Sequence, residues 1–200
     1  MGKDSPIAAV VAICEGSRGI GKDGHLPWPY LKEDREFYMG LCSTTKDPNK
    51  KNGIIMGRNG WKKWKMENKL HPKMATVVTS QTLPLDEPHC RGMVRTFDEA
   101  IELLQTGPGA EDIESIYILG GRRNYEHSVS DPRCTRLYLT TVYKDFDCDI
   151  FFPEYEHAFK KISHPEIQDH IRKDPTNGIE YRFEVYEKIP LSQNSASQGH

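Results

Sequence analysis

The stretch that decides the fold is Ile116-Tyr117-Ile118-Leu119-Gly120-Gly121-Arg122. Ile116–Leu119 has the apolar composition of a strand buried on both faces, and a helical pattern begins at Arg122. A strand that passes through two glycines into a helix is typical of α/β sheets, and the free N–H groups of the helix start suit an anion. Taken alone, the Gly-Gly pair is more often an ordinary tight turn.

Buried strands and helices alternate along the first two thirds of the chain. The predicted strands are Ile7–Ile13, Ile54–Met56, Ala75–Thr79 and Ile116–Leu119, and the predicted helices are Tyr30–Leu41, Phe97–Gln105 and Arg122–Ser128. Thr96 and Glu99 form a capping box before the second helix. This alternation predicts an α/β fold with a central, mostly parallel, twisted sheet and helices on both faces.

The C-terminal third has a different pattern. Arg136–Tyr143 and Glu180–Lys188 alternate polar and apolar residues, which predicts antiparallel strands at the edge of the sheet. A charged, irregular segment, Pro153–Gly178, separates them. The Ser-, Gln- and Asn-rich tail, residues 191–200, is predicted to be disordered. We therefore expect one domain over residues 1–190.

Composition narrows the class of protein. The 200 residues carry a net charge of −2, so the protein as a whole has no positive electrostatic potential that would attract nucleic acid. No apolar run reaches the roughly 18 residues of a membrane span, and no signal peptide is recognised. The five cysteines include no CxxC pair and the eight histidines no HxxxH spacing, so we expect a reduced, cytoplasmic protein without a metal site.

Three strand ends carry residues that suit a phosphate. Arg58 follows a strand directly after Gly57, Ser80 ends the next strand, and Arg95 ends the short strand Met93–Val94. If these ends meet, they form a site for a dianionic group such as an adenosine 2′-phosphate, which would select NADPH over NADH. Each arginine taken singly is more typical of a solvated surface.

A glycine-rich loop ends in a rigid aromatic turn, and an acid follows it. The loop runs from Gly19 to Trp28, and its Leu26-Pro27-Trp28 end is more apolar than a solvated turn requires. Loops of this kind act as active-site lids. Asp34 lies four residues before Tyr38, so both share one face of a helix. Acids are also common at helix starts for dipole reasons alone.

Taken in order, these pieces resemble the dihydrofolate reductase family, in its eukaryotic, monofunctional branch. The resemblance covers about Ile7 to Lys188. The matching segments are Gly19-Ile20-Gly21, Leu26-Pro27-Trp28, Ile55-Met56-Gly57-Arg58, Ile118-Leu119-Gly120-Gly121, Phe146-Asp147-Cys148-Asp149 and Gly178–Tyr186. The resemblance implies a monomer that reduces dihydrofolate to tetrahydrofolate with NADPH and binds antifolate inhibitors.

The resemblance also implies roles for residues. Asp34 would bind the pterin ring, supported by Thr140, with Leu26 beside the reacting atoms. The implied substrate contacts are Val10, Trp28, Arg35, Tyr38, Trp64, Lys73, Leu119 and Tyr125. The implied cofactor contacts are Ala12, Ile20, Gly21, Gly24, Gly57, Arg58, Asn59, Gly60, Thr79, Ser80, Gln81, Arg95, Gly120, Gly121, Arg122, Arg123 and Asn124.

The chain departs from the family pattern at four positions. Gly60 replaces a threonine, Arg35 an apolar residue and Trp64 a small aliphatic residue. The arginine for the folate α-carboxylate is replaced by Met74, so Lys73 is the nearest substitute.

Two residues are candidates for the acid. Glu33 lies five residues after Trp28, a spacing that some relatives have; we prefer Asp34, which needs no gap before Met56-Gly57.

Two other functions compete with dihydrofolate reduction. A pyrimidine reductase of the same fold would not need the Leu-Pro-Trp loop and the acid. A non-catalytic pterin- or nucleotide-binding module is the second alternative, because Gly60 and the missing arginine would suit a decayed catalytic site.

Overall fold

The computed structural model describes residues 5–67, 69–82 and 88–190. Within these ranges the chain forms eleven strands and four α-helices. The strands are β1 (Ile7–Cys14), β2 (Gly19–Gly21), β3 (Lys51–Gly57), β4 (Met74–Thr79), β5 (Gly92–Val94), β6 (Ile113–Ile118), β7 (Cys134–Val142), β8 (Ile150–Phe151), β9 (Phe159–Ile162), β10 (Arg172–Lys173) and β11 (Glu180–Lys188). The helices are α1 (Lys32–Ser43), α2 (Arg58–Met66), α3 (Phe97–Gln105) and α4 (Arg122–Ser130). The predicted disordered tail lies outside the described residues.

One large sheet organises the described part of the chain. Its order is β10-β11-β7-β1-β6-β3-β4-β5, and β9 also pairs with β11. All pairs from β7 to β5 are parallel, whereas β11 runs antiparallel to β7, β9 and β10. The predicted α/β class, with a mostly parallel sheet and antiparallel strands at its C-terminal edge, is confirmed.

The C-terminal third corrects two sequence expectations. Strand β7 lies inside the sheet, parallel to β1, and is buried from Leu137 to Val142, so it has no wet face there. The segment Pro153–Gly178 is not wholly irregular, because β9 and β10 lie within it.

The helices cover both faces of the sheet. Alternate residues of β1 separate the two cores: Ile7 and Ala9 pack with side chains of α3 and α4, whereas Ala8 and Val10 pack with side chains of α1. Helix α2 adds two buried tryptophans to the α1 side. Among the described residues, no helix combines the length and the apolarity needed to span a membrane.

Candidate active site

The carboxyl ends of the parallel strands meet at one edge of the sheet. Gly57 ends β3, Ser80 follows β4, and Gly120 lies just beyond β6. The Gly57 N–H donates to the Gly120 carbonyl at 3.2 Å. A Cβ added to Gly57 would lie 3.2 Å from the Gly121 Cα, so a side chain there would crowd the neighbouring turn. Gly57, Ser80 and Gly120 therefore share this edge, as expected for the ends of parallel strands.

Two helices begin at this edge with uncapped N-termini. Helix α2 begins after Gly57 and α4 after Gly121, and neither start receives a side-chain cap. Helix α3, in contrast, has the complete capping box of Thr96 that its sequence predicted. Gly120 and Gly121 have φ values of 131° and 87°, which favour glycine. The free N–H groups and glycine turns of α2 and α4 fit the phosphates of a dinucleotide.

The three predicted phosphate-binding side chains gather around the loop that follows β4. The Arg58 guanidinium donates to the Thr82 hydroxyl at 2.6 Å, and Arg95 donates to the Gln81 carbonyl at 3.4 Å. The Ser80 hydroxyl donates to the Thr82 carbonyl at 2.6 Å. Two guanidinium groups and a hydroxyl therefore all bond the segment Ser80–Thr82. Thr82 was not predicted, because only the tertiary fold brings it to Arg58.

The acid of the site lies in the first turn of α1. Asp34 is 8% exposed, and the Thr140 hydroxyl of β7 is its hydrogen-bond partner. Burial raises the pKa of the Asp34 carboxyl to about 6, against the opposing effects of Thr140 and the Lys69 charge. Glu33, one residue earlier, is exposed and accepts a hydrogen bond from the Tyr181 hydroxyl at 3.0 Å. Of the two candidate acids, only Asp34 faces the interior.

Aromatic rings and charges surround this carboxylate. Tyr38 stacks on the buried Trp64 with ring centroids 6.5 Å apart. The Lys69 ammonium lies 6.0 Å from the Tyr38 ring and 2.5 Å from the Glu67 carboxylate. Arg35 hydrogen-bonds the Tyr30 hydroxyl, which raises the pKa of its guanidinium. The sequence did not point to Lys69 or Glu67, because their position depends on the chain folding back after α2.

The glycine-rich loop is anchored at both ends. Strand β2 pairs with β8, and the Asp23 N–H donates to the Asp149 carboxylate at 2.8 Å. Trp28 is buried in the core, 6.2 Å from the Phe146 ring. Leu26 remains 53% exposed. The loop therefore exposes the apolar side chain of Leu26, while the buried Trp28 ring anchors the loop to the core.

Tyr125 positions the backbone of β1. Its ring is buried, and its hydroxyl donates to the Val10 carbonyl at 2.8 Å. Leu119, on the neighbouring strand end, donates its N–H to the Ile55 carbonyl at 2.9 Å. Val10 and Leu119 both pack in the cluster beside α1 that also contains Tyr38. Their carbonyls are thus on strands adjacent to the acid.

Two predicted cofactor contacts are directed into the protein. Asn124 is 3% exposed, and its amide bonds the Gly120 carbonyl and the Thr79 hydroxyl at 2.8 and 2.9 Å. These two predicted cofactor contacts are bonded to each other, and their contact with the cofactor stays a prediction. The remaining predicted cofactor residues lie on the surface or partly buried: Ala12, Ile20, Gly24, Asn59, Gly60, Gln81, Arg122 and Arg123; Gly21 is buried.

Lys73, a predicted substrate contact, is bonded elsewhere in the described structure. Its ammonium donates to the carbonyls of Pro48 and Lys50 in the loop between α1 and β3. The adjacent Met74 packs in the cluster of Trp64 and Tyr38. Since neighbouring strand residues point to opposite faces, Lys73 is turned away from the side that carries the acid.

Comparison with known proteins agrees with this geometry. The family model described as Dihydrofolate reductase matches residues 6–188. Dihydrofolate reductase of Gallus gallus is 31% identical over 187 residues, covering 92% of this chain and 97% of that protein. The Drosophila melanogaster enzyme is 32% identical over 180 residues, covering 90% and 96%. The structure of Schistosoma mansoni dihydrofolate reductase superposes with a TM-score of 0.78 at 28% identity, covering 93% and 99%. The chain therefore belongs to the dihydrofolate reductase family, and its activity is the reduction of dihydrofolate to tetrahydrofolate.

Proposed function

We propose that Asp34 holds the pterin ring of dihydrofolate for reduction. The observation that carries this proposal is a buried carboxylate whose hydrogen-bond partner, among the residues that the structure describes, is one neutral hydroxyl, that of Thr140. The amino group and the adjacent ring nitrogen of a pterin can donate to the two oxygens of one carboxylate. The Val10 and Leu119 carbonyls would accept from the same amino group, with Tyr38 and Trp64 beside the ring. This geometry needs an acid that faces the interior, as Asp34 does.

The reaction requires a hydride at C6 and a proton at N5. A carboxylate bonded to the amino side of the ring does not reach N5. We infer that Asp34 raises the proton affinity of N5 through the ring, and that water delivers the proton. Leu26, exposed at the end of the loop, would cover the reacting atoms and exclude bulk water.

The cofactor that fits the other half of the edge is NADPH. When bound, its nicotinamide supplies the hydride. The uncapped starts of α2 and α4 would hold its diphosphate, supported by the Gly120-Gly121 turn. Arg58, Ser80 and Arg95 would bind the 2′-phosphate that distinguishes NADPH from NADH.

We also propose the oligomeric state, the class of ligand and the cellular compartment of the protein. We infer a monomer that acts on a small molecule and binds antifolates at the same site, without a nucleic-acid partner. The five cysteines are all free thiols in the structure, which fits a reducing compartment such as the cytoplasm. Gel filtration of the purified chain would test the monomer.

The decisive experiment is Asp34→Asn, which keeps size and one acceptor oxygen but removes the charge. Removing a positioned acid–base group typically lowers the rate by about 10²–10⁴-fold. We expect a loss of that order in NADPH-dependent dihydrofolate reduction, followed optically, with normal NADPH binding. Glu33→Gln is the matched control and should be nearly silent. A crippled Glu33→Gln beside an active Asp34→Asn would assign the role to Glu33 instead.

A further inference from the structure

Asn124 occupies an unusual position for a polar side chain. It is the third residue of α4, is 3% exposed, and lies directly beneath the Gly120–Gly121 turn. One amide nitrogen donates to the Gly120 carbonyl at 2.8 Å and to the Thr79 hydroxyl at 2.9 Å. The Asn124 amide oxygen lies 3.2 Å from the same hydroxyl. A buried amide of this kind must keep all its partners or lose stability.

The Gly120 carbonyl is held from two sides. It accepts from the Asn124 amide of α4 and, at 3.2 Å, from the Gly57 N–H at the end of β3. Thr79 links Asn124 in turn to the end of β4, because its hydroxyl also lies 3.4 Å from the Met56 carbonyl. One side chain thus connects three strand ends and one helix start.

The turn needs such a connection because its own residues do not define its shape. Gly120 and Gly121 both have positive φ values and lack a side chain, so many conformations are open to them. The peptide unit is planar, and a fixed Gly120 carbonyl therefore fixes the plane that leads into α4. The direction of the first N–H groups of α4 depends on that plane.

We propose that Asn124 is a positioning residue for the dinucleotide: together with Thr79 it holds the Gly120–Gly121 turn in the shape that binds the cofactor phosphates. This proposal rests on the NADPH site proposed above. Asn124 itself does not touch the cofactor. Its effect is carried entirely by the Gly120 carbonyl.

The test is the affinity of ligand-free variants for NADPH, measured by calorimetry. Asn124→Asp keeps the shape but replaces the donor with an acceptor that faces the Gly120 carbonyl. Loss of one buried donor is worth about tenfold or more in an equilibrium constant, so the NADPH dissociation constant should rise by that factor at pH 8. Dihydrofolate affinity should be nearly unchanged. The loss should shrink toward pH 5.5, because a protonated carboxyl regains a donor.

Thr79→Val is a milder second variant, in case Asn124→Asp folds poorly, and should weaken NADPH binding a few-fold. Ser128→Ala is the matched control: Ser128 is also buried in α4, but within the described ranges its hydroxyl bonds only the Tyr125 carbonyl, at 2.8 Å. It should lower the unfolding temperature without changing the NADPH dissociation constant. In the ligand-free protein, amide exchange at Gly57 should accelerate in Asn124→Asp alone.

The outcomes separate the two proposals. If the wild-type chain binds no NADPH, the proposed cofactor is wrong, and the proposed role of Asn124 falls with it. If the wild type binds NADPH and Asn124→Asp binds it equally well while only its stability falls, the cofactor stands and Asn124 is merely structural. Equal losses of NADPH affinity in Asn124→Asp and Ser128→Ala would likewise overturn the positioning role.

Discussion

Asp34 should make the protein less stable at neutral pH than it would be with a neutral residue in its place. Burial raises the pKa of this carboxyl from 3.8 to about 6 in the folded chain. The folded state therefore holds the proton more tightly than the unfolded state does. Each pKa unit corresponds to 1.36 kcal/mol, so keeping Asp34 ionised in the fold costs about 3 kcal/mol.

The sign of the pH dependence follows from this direction. Below about pH 4 both states carry the proton, and Asp34 does not contribute to a pH dependence. Between about pH 4 and pH 6 only the folded state is protonated, so the free energy of unfolding falls as pH rises. Above about pH 6 both states are ionised and the full penalty is present. Asn does not titrate, so Asp34→Asn avoids the penalty.

The measurement is urea unfolding of the cofactor-free wild type and Asp34→Asn from about pH 4 to pH 7.5. The stability of the variant relative to the wild type should rise by about 3 kcal/mol across that window. Its oxygen can still accept from Thr140, so the low-pH offset should be small. Glu33→Gln removes an exposed carboxylate and should show no comparable rise. A pH-independent difference for Asp34→Asn, or one of opposite slope, would refute the reasoning.

Three further changes test other parts of the site. Arg58→Ala should raise the NADPH dissociation constant by about 10–100-fold, as expected for one or two charge-assisted bonds, and leave NADH binding nearly unchanged; equal losses for both cofactors would exclude a contact with the 2′-phosphate. Gly60→Ala should stabilise the fold to urea by up to about 1 kcal/mol, because Gly60 lies inside α2 and nothing lies within 4 Å of an added Cβ; a loss of stability would contradict this. Lys69→Met should move the apparent pKa of Asp34 in the pH–rate profile upward, since the Lys69 charge lowers it. Lys63→Met is the control: it removes another ion-pair partner of Glu67, which also pairs with Lys69. It should leave the apparent pKa of Asp34 in the pH–rate profile unchanged.

The sequence predicted those elements whose burial pattern is simple. Strand β11 and helix α3 have the predicted bounds, because strict alternation defines the first and a capping box begins the second. Helix α2 was missed. Its sequence, RNGWKKWKM, has a glycine in its first turn and no side-chain cap, and only Trp61 and Trp64 are buried. Tertiary packing of the two tryptophans, with little help from helix propensity, holds this helix in place.

Some residues of the candidate site could likewise be predicted from the sequence, and others could not. The glycines and arginines at strand ends could be predicted, because parallel strands bring their carboxyl ends together. The choice between Glu33 and Asp34 could not be made from spacing alone, since it depends on which face of α1 packs against β7. Asn124 was predicted as a cofactor contact, whereas its bonds to the Gly120 carbonyl and the Thr79 hydroxyl were not foreseen. A sequence gives no sign that a polar residue in a first helical turn points inward to a carbonyl.

The charges near Asp34 follow from the two demands placed on that carboxylate. In the proposed mechanism it must stay ionised at neutral pH although burial favours its protonated form, and its oxygens must stay available to the pterin. A direct ion pair would meet the first demand and defeat the second, and among the described residues Asp34 forms none. Lys69, whose ammonium lies 6.0 Å from the Tyr38 ring, instead lowers the pKa of Asp34 without an ion pair, and its ammonium lies 2.5 Å from the Glu67 carboxylate. A pKa of about 6 is the balance of burial against the Thr140 hydrogen bond and the Lys69 charge.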